Sequence, residues 1–194
     1  KKTLDFFFQD KITKYLYKKV ENNICIDLGA AVFEHTKWKT FLLSNKTKWI
    51  AVDPDQKNLE YLKYWRWKAN LNIENIAASA NGGMMNFYET NIRTGSSLKK
   101  INISESMEKR IDKNYFFPIK QTTINTVSVK DLINKYLEKN FDIFIKIDIQ
   151  GYGLDILKSL LYFIERKKII GIEVESSLYA DPVYENASKF SEIS

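Results

Sequence analysis

Cysteine and histidine are nearly missing from these 194 residues, each occurring once, as Cys25 and His35. A lone cysteine excludes an internal disulfide framework and any cysteine-based zinc finger, and a lone histidine excludes a histidine-rich metal site. No apolar run approaches the roughly 18 residues that a membrane-spanning helix requires. The segment Lys1 to Lys11 breaks its aromatics with Asp5 and Asp10, so it lacks the uncharged core of a secretory signal. Internal repeats, linkers and low-complexity stretches are also absent. These gaps lead to the expectation of a soluble, cytoplasmic protein in a reducing compartment. What is present is ordinary globular usage, 44% hydrophobic and 28% charged, which argues against disorder. The length suits one domain over 1–194 with a core that needs no staples.

Charge is unevenly placed. The formal net charge is +6, and residues 1–70 hold 14 Lys/Arg against 8 Asp/Glu, so the excess lies there. A local basic surface attracts nucleic acid, anionic membrane or acidic glycans. The alternative is lysine used as solvated helix surface, which agrees with the absence of a dense basic run or nucleic-acid motif. Tyr61 to Lys68 interleaves aromatics with bases, as a base- or sugar-stacking surface would. Leu59, Leu62 and Trp65 in that stretch equally share one core-facing helix side, leaving Tyr64 and Trp67 for a partner.

Apolar spacing predicts an N-terminal helix within 1–21, then a short buried strand Ile24–Leu28 broken by Gly29. A helix over 34–44 and a strand at Lys48–Val52 follow, the strand stopped by Asp53-Pro54. Residues 55–70 read as a helix with Asp55 as N-cap. Asn72 to Ala77 reads as a strand, Gly82-Gly83 as a turn and Met84 to Tyr88 as a strand. Residues 89–115 lose periodicity and read as a lid or mobile loop. A strand at Phe116–Thr126, a helix at Val129–Leu137, a dense β-branched strand at Phe141–Ile149, a helix at 153–165 and a strand at Lys168–Val174 complete the chain. Strands that are continuous apolar runs alternating with helices indicate an α/β fold, a doubly wound, mostly parallel sheet covered on both faces.

In such a sheet, ligands bind beyond the carboxyl ends of the strands where strand order reverses. Asp27-Leu28-Gly29-Ala30-Ala31 follows the first strand and Asp53-Pro54 the second. Glycine permits close backbone approach, and an acid ending the second strand suits a ribose diol. The glycine-rich phosphate cradle is missing, with Ala31 at the second glycine position and Glu34 and His35 near the third. A nicotinamide or flavin dinucleotide is therefore disfavoured, leaving a phosphate-free nucleoside cofactor such as S-adenosylmethionine. The alternative is an acid and a glycine that merely terminate buried strands. In Asp142 to Gly151, Lys146 and Asp148 project on one face, and Glu173 and Glu175 do so on the last strand. If the two strands are neighbours, four charges converge at one end of the sheet, either in a cleft or as a structural ion-pair cluster at the rim. His35 suits a surface or capping role better than that of a base, and Cys25 suits core packing.

The series Asp27-Leu28-Gly29-Ala30, Val52-Asp53-Pro54, Asn75-Ile76-Ala77, Thr94-Gly95-Ser96-Ser97-Leu98, Thr126-Val127, Lys146-Ile147-Asp148-Ile149-Gln150-Gly151 and Ile172-Glu173-Val174 resembles the FkbM family of class I methyltransferases. The resemblance runs from about residue 22 to 178 and is densest from Lys146 to Leu157. It implies a Rossmann-like fold, S-adenosylmethionine as cofactor, and O-methylation of a hydroxyl on a sugar, glycan or other small molecule. It also implies a cofactor site from Asp27, Gly29, Ala30, Ala31, Phe33, Asp53, Pro54 and Ala77. Asp148 would be the base or a ligand for a divalent metal, Lys146 its charge partner, and Glu173 a second base. Ala31 and Phe33 stand where the family usually has asparagine and glycine, and Gly153 where it commonly has an acid. The family pattern continues into further strands, which are expected to be lacking here. Two other functions stay open at this point. One is an RNA-directed methyltransferase, motivated by the basic first 70 residues; the other is a non-catalytic interaction module, motivated by the altered loop.

Overall fold

The computed structural model describes residues 23–31, 47–65, 70–92, 94–101, 117–137, 141–176, 183–187 and 189–193. The expected helices within 1–21 and over 34–44, together with Phe33, His35, Trp67 and most of the expected lid, lie outside the described residues. The elements in chain order are β1 (Ile24–Leu28), β2 (Lys48–Val52), α1 (Gln56–Trp65), β3 (Leu71–Glu74), β4 (Ala77–Ser79), β5 (Gly83–Thr90) and β6 (Pro118–Ser128). They continue with α2 (Val129–Tyr136), β7 (Ile143–Ile147), α3 (Gly153–Ser159), α4 (Leu161–Glu165), β8 (Ile169–Val174) and α5 (Phe190–Ile193).

Five strands form a parallel sheet in the order β3-β2-β1-β7-β8. The chain steps outward from β1 to β3, then returns to pair β7 on the other side of β1. Strand order therefore reverses between β1 and β7, as the doubly wound reading requires. Period two explains why β1, β2 and β7 are apolar on both faces, at all but one position each. Ile24, Ile26, Leu28, Ile143, Ile145 and Ile147 face one core, which α2, α3 and α4 cover with Leu132, Ile133, Ile156 and Phe163. Cys25, Trp49, Ala51 and Phe144 face the opposite core, which α1 covers with Leu62. The thiol of Cys25 is buried there, and desolvation raises its pKa well above the usual range. Tyr64, on the far side of α1 from Leu62, is exposed.

Local capping fixes the helix starts. The backbone N–H of Lys57 donates to Asp55 Oδ1 at 2.8 Å, so Asp55 is the N-cap of α1 as expected. Ser128 caps α2 by accepting from the Asp131 N–H at 3.1 Å.

The structure corrects two expectations. The strand expected over Asn72–Ala77 is two strands, because the chain turns at Asn75–Ile76. Asn75 Nδ2 donates to the Asp53 carbonyl at 3.1 Å, which ties the turn to the end of β2. The released β4 joins a second, three-stranded sheet, β4-β6-β5, parallel to β6 while β5 runs antiparallel. The helix expected over 153–165 is interrupted at Leu160. Ser159 Oγ donates to the Ile156 carbonyl at 2.6 Å, a side-chain bond that competes with helix propagation.

Candidate functional site

The carboxyl ends of β1, β2 and β7, the start of β4, and residues Thr94 to Leu98 enclose one cavity. Its volume is about 220 Å³, against the roughly 30 Å³ that one water occupies, so it is ligand-sized rather than a packing defect. Asp27, Gly29, Ala30, Ala31, Asp53, Pro54, Ala77, Lys146 and Asp148 all line it. Thus residues spread over more than 120 positions meet on one wall, as the order reversal predicts. Glu173 does not line it. It pairs with Lys146 in register across β7 and β8, one strand away from the cavity wall.

The buried chemistry is a charge row. Asp27, Lys146 and Glu173 are register partners across β1, β7 and β8. Lys146 Nζ donates to Asp27 Oδ1 at 2.9 Å and to Asp148 Oδ2 at 3.3 Å. Asp27 is fully buried, and its Oδ2 has no partner among the described residues. Burial raises the Asp27 carboxyl, with Lys146 offsetting part of the rise. Burial alone would lower Lys146, but the two flanking carboxylates outweigh it and hold the ammonium above the usual lysine range. Lysine in this strand is therefore paired on both sides, which reconciles its burial with its charge.

Asp53 is the second buried acid. Its Oδ1 accepts from the Asp55 N–H at 2.8 Å and from Asn58 Nδ2 at 3.0 Å, and its Oδ2 takes no bond from the described residues. Burial pushes this carboxyl up to about 6, even with those two donors lowering it.

At the end of β7 the chain turns through two left-handed residues, Gln150 at φ +47° and Gly151 at φ +86°. A non-glycine residue there is strained, and the surroundings hold it. Gln150 Nε2 donates to Asp148 Oδ1 at 3.0 Å and to Glu175 Oε2 at 3.1 Å, using both amide hydrogens. Its Oε1 lies 2.9 Å from the Tyr184 hydroxyl, which is also 2.9 Å from the Gly95 carbonyl. Ser97 Oγ donates to the Gln150 carbonyl at 2.5 Å. Glu175 keeps one side open to solvent, while desolvation on its other side and the Asp148 carboxylate push it up to about 7. Sequence reasoning placed Glu175 among the converging charges but gave Gln150 and Tyr184 no role.

Gly29 has a structural reason of its own. A Cβ at this position would lie 1.9 Å from the carbonyl oxygen of Asp148, and its φ is +81°. The Asp148 N–H also donates to the Leu28 carbonyl at 2.9 Å, so the ends of β1 and β7 stay in contact beyond the sheet. The glycine thus lets the strand carrying Asp148 close on β1, which sets the spacing of the acids around the cavity.

Among the described residues, no three or more His, Cys, Asp or Glu side chains gather in a group that could hold a metal ion. Asp148, the residue expected as base or metal ligand, accepts from Lys146 at Oδ2 and from Gln150 at Oδ1. No helix among the described residues is long and apolar enough to cross a membrane.

A parallel sheet with an acid ending its second strand, facing a cavity at the order reversal, defines a doubly wound, Rossmann-like α/β architecture. The family model described as the methyltransferase FkbM domain matches residues 27–193. The chain belongs to the FkbM methyltransferase family, as the resemblance implied. No curated protein and no solved structure matches it.

Proposed function

We propose that this chain is an S-adenosylmethionine-dependent O-methyltransferase acting on a hydroxyl of a sugar, glycan or other small molecule. The observation that carries the reading is the chemistry of the cavity wall. Its described lining holds Asp27, Asp53, Asp55 and Asp148 against one cation, Lys146, which is already engaged by Asp27 and Asp148. Such a wall favours a cationic ligand and opposes an anionic dinucleotide. Asp53 Oδ2, without a donor among the described residues, suits a ribose hydroxyl. Ile76, Ala77, Ala78 and Phe87 form an apolar side suited to a purine. Gly29, Ala30, Ala31 and Pro54 supply the remaining contacts near the strand ends, and Asp27, fully buried behind them, contributes its charge.

When bound, the cofactor supplies an electrophilic methyl group on a cationic sulfur. The protein has to position the acceptor and take its proton. Asp148 lines the cavity with a side chain 37% exposed, so it is reachable by an acceptor as Asp27 is not. Its Oδ2 has Lys146 as donor at 3.3 Å and keeps a lone pair for the hydroxyl proton. Lys146 holds that carboxylate in place and balances its charge. Glu173, off the wall, is assigned no contact with the acceptor.

Equilibrium dialysis of the full chain with methyl-labelled S-adenosylmethionine tests the reading. Binding is expected at pH 7.5. Because the ribose needs Asp53 ionised, affinity is expected to fall as pH drops through about 6. Below that midpoint the loss is about tenfold per pH unit for one protonation. No uptake by the folded chain at pH 7.5 would overturn the proposal and favour the non-catalytic module.

A further inference from the structure

Asn58 lies on α1, 2% exposed, and lines the same cavity. It shares its helix side with Leu62, one turn later and fully buried, a location where an apolar side chain would pack well. Asparagine instead leaves its Oδ1 buried with no partner among the described residues. An apolar side chain of similar size would avoid that unpaired acceptor, so packing alone does not account for the amide. The bond from Nδ2 to Asp53 Oδ1 does account for it. It also fixes the amide's orientation, since turning the amide over would set two oxygens against each other. With the Asp55 N–H on the same atom, the two donors among the described residues converge on Oδ1. The carboxylate is thereby pinned by one oxygen and presents the other.

We propose that Asn58 is a positioning residue for cofactor binding, locking the Asp53 carboxylate so that Oδ2 alone is offered to the ribose diol. The inference rests on the reading of the cavity as an S-adenosylmethionine site. Among the described residues, the charged groups acting on Asp53 are the Asp55 and Asp27 carboxylates, which oppose its ionisation. Asn58 and the Asp55 N–H favour ionisation, so removing the amide shifts the balance toward the protonated acid.

The test compares wild type with Asn58→Leu and Asn58→Ala, as full chains. Three quantities are read: S-adenosylmethionine affinity from pH 5 to 8, the carboxyl titration of Asp53 by ¹³C NMR, and the thermal midpoint. In Asn58→Leu, affinity at pH 7.5 is expected to fall roughly tenfold or more, as for a lost hydrogen bond to a charged group. The pH midpoints of affinity and of Asp53 should both move upward, with the thermal midpoint unchanged or higher. Asn58→Ala, should the leucine fail to fold, is expected to show the same two pH shifts. Unchanged affinity and an unmoved Asp53 midpoint in a folded variant overturn the inference, as does a lowered thermal midpoint with full affinity. A wild-type chain that takes up no S-adenosylmethionine at pH 7.5 fails differently, sinking the cofactor reading and the ligand role of Asn58 with it.

Discussion

Lys146→Met is expected to lower the unfolding free energy by about 3–5 kcal/mol at pH 8, the range for breaking a buried ion pair from one side. Methionine keeps most of the side-chain volume, so the loss is chiefly electrostatic. Asp27 is fully buried, accepts at Oδ1 from Lys146, and has no partner at Oδ2 among the described residues. Without the ammonium its carboxylate loses both counterion and donor. Its folded pKa, already raised by burial, must then rise further above the ordinary 3.8. A folded pKa above the unfolded one makes stability fall as pH rises between the two. The deficit of the variant is therefore expected to be smaller at pH 5, closer to the protonated form of folded Asp27, than at pH 8. Urea unfolding at both pH values measures this. Adding Asp27→Asn to Lys146→Met should recover much of the loss at pH 8, because it removes the stranded charge. A pH-independent deficit below about 1 kcal/mol would mean that the pair is not what holds these strand ends together.

That Lys146 needs a carboxylate partner was legible in the chain before its geometry, although the partner read there was Asp148 and the structure adds Asp27; the reason is physical. A lysine in Ile143 to Ile147 and an acid in Ile24 to Leu28 break apolar runs whose other members fill two cores. Charges in such places need partners, and doubly wound topology makes β1 and β7 neighbours. The Asp55 cap and the Gly82-Gly83 turn were readable for a similar reason, since their chemistry is local.

What escaped the sequence depends on where strands end and on distant contacts. Ala77-Ala78-Ser79 is too short and too small-sided to announce a strand that leaves the main sheet. Alternation put Glu173 and Glu175 on one face but could not say which lies at the right height. Glu173 falls within β8 beside Lys146, whereas Glu175 lies just past its end, where the Gln150 amide reaches it. Tyr184 comes 34 residues after Gln150 in a segment with no periodicity, and only the fold brings its hydroxyl to that amide. Asn58 reads along α1 as one polar position among several. Gly29 was read as a place for ligand approach, and the structure adds a demand from the protein itself, the carbonyl of Asp148.

Asp148→Asn should reduce methyl transfer by about 10²–10⁴-fold, the usual range for loss of a positioned general base, while S-adenosylmethionine affinity stays within about threefold. The separation follows from the cavity. Asp53 stands at the end of β2 and Asn58 in the first turn of α1, whereas Asp148 stands beyond the end of β7 next to Gln150. Asparagine keeps the shape but brings one donor to a site where Lys146 and Gln150 both donate, so one of those two contacts must be lost as well. The variant carries a second signature that needs no acceptor. Glu175 stands near 7 through burial and through the neighbouring Asp148 carboxylate. Removing that charge lowers the Glu175 midpoint, which ¹³C carboxyl titration reads directly. Turnover is followed as label passing from the cofactor's methyl group into whichever hydroxyl compound the wild type methylates. Full turnover in a variant whose Glu175 midpoint has dropped would assign the proton to another group, and Glu175 would be the next to replace. Lost turnover together with lost cofactor affinity would instead place Asp148 in the cofactor's own contacts.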